Sequence, residues 1–154
     1  MTTGFSSARL DIGSLTARLV LAFVLFPHGA QKMLGWFGGY GFDGTMGFFT
    51  STVHLPYIVG LAVILIEFFA PLLLVLGLAT RFCALAIISL MLGIVVTSHL
   101  ANGFFMNWFG NQPGEGYEYH LLFIGLAVAL LVLGPGRYSV DAWLARRRAQ
   151  LALA

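Results

Sequence analysis

Residues 57–78 read YIVGLAVILIEFFAPLLLVLGL, and Glu67 is the only charged side chain among them. A helix that crosses a membrane needs about 20 mostly apolar residues, because the hydrocarbon core of a bilayer is about 30 Å thick. The whole chain has the same character, since 59% of its 154 residues are hydrophobic and 9% are charged. A soluble domain carries about 25% charged residues. The sequence therefore predicts an integral membrane protein.

The composition argues against several other classes of protein. A net charge of +2 with no basic patch does not predict nucleic-acid binding. A mean hydropathy of +0.91 excludes a disordered chain. Cys83 is the only cysteine, so the chain alone has neither a disulfide nor dithiol chemistry. Because the sequence contains no H-E-x-x-H motif and no phosphate loop, hydrolytic and nucleotide-driven activities are unsupported.

Three further apolar stretches are long enough to cross a membrane, so residues 57–78 are the second of four predicted spans. The capping signals at their ends are Ser14 before the first span, Pro56 before the second and Gly134 after the fourth. The predicted fold is an all-α integral membrane bundle of four helices, forming one domain over residues 1–154. The four predicted spans are residues 14–34, 57–78, 81–100 and 118–133.

The basic residues are distributed unequally between the two ends of these spans. Cytoplasmic loops of membrane proteins carry an excess of lysine and arginine. Both termini are therefore predicted to be cytoplasmic, and the loops 35–56 and 101–117 are predicted to lie outside. One end has only Lys32, whereas the other has Arg9, Arg18, Arg81, Arg137, Arg146, Arg147 and Arg148.

The C-terminal tail, residues 139–154, has the pattern of a further helix. Ser139 is a candidate cap, and Val140, Trp143 and Leu144 follow at helical spacing. Three consecutive arginines, residues 146–148, favour binding to an anionic surface. We therefore predict an interfacial amphipathic helix on the cytoplasmic face, with a frayed tail as the alternative.

Glu67 is the most informative residue, because a charged group at the centre of a bilayer costs about 2.5 to 3.5 kcal/mol on insertion scales. Such a group should face the bundle interior and either find a partner or stay protonated. His28 and Lys32 share one face of the first span. Counting about 1.5 Å per residue, Lys32 lies near the outer surface, His28 about 6 Å deeper and Glu67 about 6 Å deeper again. These three residues are the catalytic candidates.

Each of these residues also has a purely structural interpretation. Glu67 could tie two helices together by a hydrogen bond, and Lys32 could extend outward to the lipid headgroups. His99 and His120 reach the same outer level, where they could ligate a metal or bond to a loop carbonyl. A position at the rim leaves no room for a whole macrocycle, so we predict no haem. With one cysteine, we also predict no iron–sulfur cluster, and we assign no metal site.

The two outer loops are rich in aromatic residues, which form either a belt at the membrane interface or the walls of a slot for a flat ring such as a quinone head group. The G-x-G-x-x-G pattern at residues 39–44 is rejected as a dinucleotide site, because no strand delivers it to a helix. The aromatic residues are Trp36, Phe37, Tyr40, Phe42, Phe48, Phe49, Phe104, Phe105 and Trp108.

A series of short motifs extends over residues 14 to 144: FPHGAQK at 26–32, Gly38-Gly39, Glu67, GLATR at 77–81, His99, NGFF at 102–105, EYHL at 118–121 and GPGRYSVD at 134–141. In their order and spacing these motifs resemble the DoxX family. The resemblance implies a four-helix protein of the prokaryotic inner membrane. It also implies a link to quinone-dependent sulfur oxidation beside a second subunit, the association of the family's namesake subunits.

The functional hypothesis is a membrane subunit of a quinone-linked redox complex. Its outer pocket would bind a quinone or a small acidic substrate, with Lys32 supplying positive charge, His28 and His120 bonding to oxygens and Glu67 relaying a proton. The expected partners are the lipid bilayer and a second protein subunit, without nucleic acid. The alternative is a non-catalytic scaffold or a module that binds or transports a small molecule. The candidate cofactor-binding residues are His99, His120, Trp36 and Asn102.

Overall fold

The computed structural model describes the backbone of residues 3–153 and the side chains of residues 7–153. Every regular element in that range is helical, which confirms the all-α prediction. Short helical turns, Trp36–Gly38 and Phe48–Thr52, flank the second helix, and the fourth continues through the turns Val95–His99 and Leu100–Asn102. The six α-helices are α1 (Thr3–Leu34), α2 (Gly41–Gly47), α3 (Tyr57–Leu76), α4 (Thr80–Ile94), α5 (Glu118–Leu133) and α6 (Val140–Leu151).

Four of these helices form a bundle in which α1 packs on α3 and α5, and α4 packs on the same two helices. Ser7–Leu34, Tyr57–Leu76 and Thr80–Asn102 are long and apolar enough to cross a membrane. The fourth apolar helix, α5, has 16 residues and so a length of about 24 Å. Between the helices lies an apolar core that includes Leu21, Leu74, Ile87, Ala127 and Leu130.

Of the three predicted capping signals, Pro56 and Gly134 are confirmed and Ser14 is wrong. Pro56 directly precedes α3, and Gly134 follows the last residue of α5. Ser14, however, lies inside α1, which begins at Thr3. Its hydroxyl donates to the carbonyl of Gly134 at 2.6 Å. The local sequence around Ser14 could not reveal this role, because the carbonyl that Ser14 bonds to is distant in the chain.

Arg18 is fully buried, although the sequence placed it in the basic flank of the first span. Its guanidinium donates to the carbonyls of Leu74 at 3.3 Å and Tyr138 at 2.6 Å. Gly77 has a φ of 66°, and a Cβ there would lie 1.8 Å from Nη1 of Arg18. This arginine therefore ties α1 to the end of α3 and to the segment before α6, rather than to a membrane surface.

The tail helix α6 is anchored to the same end of the bundle. Ser139 accepts from the backbone N–H of Ala142 at 3.1 Å, which confirms the predicted cap. Asp141 accepts from the N–H groups of Ala79 and Thr80, both at 2.9 Å. The helix over Val140–Leu151 replaces the alternative of a frayed tail over those residues. Its placement on a lipid surface stays a prediction.

Candidate functional site

The site begins where α1 and α3 touch at Gly29. A Cβ on Gly29 would lie 2.2 Å from the backbone oxygen of Glu67 and 2.6 Å from the nitrogen of Phe68. Only a glycine permits this approach, because contacts under 3 Å are prevented by steric repulsion. The close contact places the face of α1 that carries His28 and Lys32 beside the middle of α3.

Lys32 pairs directly with Glu67, its Nζ donating to Oε2 of the carboxylate. Glu67 is 3% exposed, and the Lys32 side chain is 25% exposed. The Lys32 side chain thus turns inward, toward Glu67, and the alternative of an extension toward the headgroups does not hold for this residue. Glu67 has the partner that its depth in the membrane required.

The direct ion pair also corrects the predicted ladder, which separated Lys32 from Glu67 by about 12 Å along the membrane normal. That estimate placed the Glu67 backbone too deep, because the contact at Gly29 puts it level with the turn of α1 before Lys32, about 4.5 Å from Lys32 along the helix axis. The Cα–Cβ bonds of an α-helix tilt toward its N-terminus, so the long side chain of Lys32 extends back over this shorter distance. His28 lies one turn before Lys32, on the same face.

Two cavities meet at this ion pair. The histidine cavity, of about 490 Å³, is lined by His28, Tyr119, His120 and the ion pair, with Leu25, Met91 and Phe123 among its apolar walls. The apolar cavity, of about 420 Å³, lies between α3 and α4 beneath Phe48 and Phe49. Both are within the range of about 300 to 1,000 Å³ that is usual for small-molecule sites. Four residues line both cavities: Lys32, Glu67, Ile94 and His99.

His99 and His120 lie side by side, with ring centroids 4.4 Å apart and ring planes at 42°. Nδ1 of His99 lies 2.8 Å from the carbonyl oxygen of Glu115. A carbonyl only accepts hydrogen bonds, so Nδ1 carries the proton, and Nε2 of the neutral ring is an acceptor. The bond to a loop carbonyl is the alternative that the sequence left open for His99.

His120 has a buried ring nitrogen whose hydrogen-bonding capacity is unused. The residue is 9% exposed, and its Nδ1 is buried without a hydrogen-bond partner among the described residues. Buried polar atoms are nearly always paired, so an unpaired one requires an explanation such as a ligand. His120 lines the histidine cavity.

The loop after α4 lines one end of the histidine cavity with Met106, Trp108 and Glu115, and Trp108 is 79% exposed. Asn102 donates to the carbonyl of Glu115 at 3.0 Å, and the Glu115 carboxylate accepts from the N–H of Asn107 at 2.7 Å. Asn102 is absent from the linings of both cavities. Asn102 therefore stabilises the loop and does not line either cavity.

The remaining predicted residues divide between the cavities and the surface. Phe48 and Phe49 line the apolar cavity, and Trp108 lines the histidine cavity. Trp36 is 54% exposed and lines neither of these cavities. Sequence reasoning missed Tyr119, although it directly precedes His120. The feature that could have identified Tyr119 is its polar aromatic side chain at the predicted start of an apolar helix.

Over the described residues, no group of three or more His, Cys, Asp and Glu side chains is arranged to hold a metal ion. The polar groups that converge here are instead a lysine–glutamate pair, three imidazoles and the Tyr119 hydroxyl. Together they offer hydrogen-bond donors and exchangeable protons within an apolar enclosure.

Comparisons with known proteins identify one family and two relatives. The sequence profile of the DoxX family matches residues 13–100. CatD of Bacillus subtilis (strain 168), which is named provisionally as an oxidoreductase, is 29% identical over 120 residues, or 78% of this chain and 79% of CatD. YphA of Escherichia coli (strain K12), named as an inner membrane protein, is 29% identical over 141 residues, or 89% of this chain and 93% of YphA. No solved structure matches the chain at a significant level.

Proposed function

The chain belongs to the DoxX family of membrane proteins, and from that premise we propose that it is the membrane subunit of a redox complex and binds a quinone in the histidine cavity. The observation that carries the proposal is the unpartnered His120 nitrogen on a cavity that is also lined by the Lys32–Glu67 pair, whose carboxylate is buried. The oxidoreductase name of CatD supports the same class of function.

A quinone head group suits the chemistry of this cavity. The ring is flat and largely apolar, and its two carbonyl oxygens accept hydrogen bonds. Leu25, Met91 and Phe123 provide apolar walls. His120 and Lys32 provide donors, and such a small set of polar groups in an apolar pocket fixes the orientation of a ligand.

Reduction of a quinone to a quinol adds two electrons and two protons. We assign the electrons to a partner subunit and the protons to this chain. The Lys32 ammonium donates one proton to the quinone oxygen that it bonds, and His120 passes the second proton from the surrounding water to the other oxygen. Glu67 then takes up a proton from the water by way of His28 and returns it to Lys32 through their hydrogen bond. Oxidation of a quinol is the same sequence reversed.

The proposal is tested by the fluorescence of Trp108, which lines the histidine cavity. The chain has three tryptophans, so replacing Trp36 and Trp143 by phenylalanine leaves Trp108 as the only reporter. We expect a water-soluble, tail-less benzoquinone to quench this signal saturably in protein reconstituted into liposomes. His120→Ala should weaken binding about tenfold, the effect of one hydrogen bond lost in a buried site.

His54→Ala is the matched control, because His54 lies in the outer loop and lines neither cavity. It should bind the quinone with the parent affinity. Quenching that does not saturate, or that is identical in His120→Ala and His54→Ala, would contradict quinone binding in this cavity. Saturable binding combined with turnover of the complex that Glu67→Gln leaves unchanged would instead support the alternative of a non-catalytic binding module.

A further inference from the structure

We infer that the apolar cavity receives the hydrocarbon tail of the quinone while the histidine cavity holds its ring. This inference rests on the proposed function and adds the class of substrate, a quinone with an alkyl or isoprenoid side chain. It also assigns to the Lys32–Glu67 pair a position beside the junction of ring and tail.

The two cavities are adjacent, and a ligand that reaches past the side chains between them would occupy both. Lys32, Glu67 and His99 line both spaces. A molecule bound beside the ion pair therefore has the histidine cavity on one side and the apolar cavity on the other. An amphipathic ligand with one polar end and one apolar end matches this arrangement.

The two cavities differ in the chemistry of their remaining walls. Beyond the shared residues, the polar side chains of the histidine cavity are His28, Glu115, Tyr119 and His120. Those of the apolar cavity are the three hydroxyls of Ser89, Thr97 and Ser98, and most of its remaining wall is hydrocarbon, such as Val63, Ile66 and Leu90. The histidine cavity therefore has the imidazoles that suit a quinone ring, whereas a hydrocarbon chain needs no such partner.

The apolar cavity also opens where a lipid-dissolved tail would arrive. Gly93 of α4 lines it, is exposed, and has nothing within 4 Å of a Cβ added to it. The outer side is closed by Phe49, whose ring lies 3.2 Å from a Cβ built on Gly60. The open side therefore lies between the membrane-facing surfaces of α3 and α4.

A tail in a bilayer is already out of water, so its transfer into the cavity gains close packing rather than hydrophobic free energy. Tailed and tail-less quinones also partition differently into liposomes. The informative quantity is therefore the ratio of affinities between two proteins for the same quinone, in which partitioning cancels.

The experiment compares Gly93→Leu with Gly125→Leu in the protein that retains only Trp108. Both glycines are exposed helical positions with open space around an added Cβ, but Gly125 lines neither cavity. The probes are 2,3-dimethoxy-5-methylbenzoquinone and the same ring with a decyl tail. Gly93→Leu should weaken binding of the decyl quinone at least about fivefold and change binding of the tail-less ring less than about twofold. Gly125→Leu should change neither.

Ala62→Leu, which also fills the apolar cavity, gives a second variant if Gly93→Leu is unstable. Equal effects on both quinones, or no effect of either filling substitution, would overturn the assignment of the tail while leaving ring binding intact. If neither quinone quenches the Trp108 fluorescence of the parent protein saturably, the proposed function itself is overturned. The two failures are therefore distinguishable.

Discussion

Gly29 of α1 lies against the backbone of Glu67 in α3, so closely that a Cβ would lie 2.2 Å from the Glu67 oxygen. This contact sets the distance between the two helices at the depth of the ion pair. A rigid helix–helix contact can therefore hold Lys32 and Glu67 together inside a membrane.

Gly29→Ala should push α1 and α3 apart and destabilise the protein by about 1 to 3 kcal/mol, the usual cost of overpacking. Gly13→Ala is the control, because Gly13 lies in the same helix with nothing within 4 Å of an added Cβ. That change should be neutral or stabilise by up to about 1 kcal/mol. Thermal unfolding in detergent measures both, and equal midpoints for the two variants would contradict the close packing.

The Lys32–Glu67 pair should behave as a coupled unit. Glu67→Gln leaves the Lys32 charge unpaired, which should cost roughly 3 kcal/mol, the lower end for buried pairs, because Lys32 is partly exposed. Adding Lys32→Met to that variant should recover much of the loss, so that the two changes are non-additive. A double variant whose loss of stability equals the sum of the single losses would show that the pair is not coupled.

The same substitutions separate a structural tie from a proton relay. If Glu67 relays protons, the double variant Lys32→Met/Glu67→Gln should fold and bind quinone about tenfold more weakly, because the Lys32 donor is lost, and should lose proton-coupled turnover in the complex. Glu67→Gln and His28→Ala should also be non-additive in that activity, as expected of groups in one network. Full turnover in the double variant would reduce the pair to a link between α1 and α3.

The ionisation of Asp141, in the tail helix α6, should make the stability of the fold depend on pH in the acid range. Burial raises the pKa of Asp141, but the N–H groups of Thr80 and Ala79 and the nearby Arg18 outweigh this effect, so its pKa lies below the ordinary value. A carboxylate with a lowered pKa stabilises the fold above the pKa of the unfolded chain. That stability is lost as the pH falls through the folded pKa.

Because an unfolded aspartate titrates near about pH 3.9, the unfolding midpoint of the parent protein should fall as the pH is lowered below about 4. Asp141→Asn should be less stable at pH 7 by about 1 to 3 kcal/mol and should lose part of that acid dependence. Asp43→Asn, in the outer helix α2, should leave the profile unchanged. An Asp141→Asn profile parallel to the parent's between pH 7 and pH 3 would refute this role.

The topology prediction depends on the basic flanks. Reporter fusions at both termini and at Arg81 should give the cytoplasmic signal, and fusions at Asp43 and Gln112 the external one. Arg18 is buried, but six of the seven arginines counted on the cytoplasmic side remain against Lys32 alone. A cytoplasmic signal at Asp43 or Gln112 would exclude the arrangement of four spans.

The helices were largely predictable because a chain in lipid must satisfy its backbone hydrogen bonds within each segment. Apolar length located α3 and α5, and Pro56 and Gly134 marked their ends. The sequence also identified Glu67 and Lys32 as members of one site. Their direct contact was not predictable from depth alone, because it depends on the backward tilt of the Lys32 side chain and on the approach at Gly29.

Arg18 and Asn102 illustrate the limit of local patterns. Counting charges placed Arg18 in an exposed flank, whereas its hydrogen-bond partners come from α3 and from Tyr138, distant in sequence. Asn102 was a candidate through family resemblance, but its amide supports the loop at Glu115. Both roles depend on segments brought together only in the folded bundle.

Photolabelling tests the location of quinone binding most directly. An azidoquinone is irradiated with the reconstituted protein, and the modified residues are identified by mass spectrometry. We expect labels on residues that line the histidine cavity, such as Met91, Met106 and Tyr119, and their loss when unlabelled quinone is in excess. Labels confined to lipid-facing residues such as Phe23 and Leu122, which are 82% and 73% exposed, and undiminished by that excess, would contradict a quinone site in this cavity.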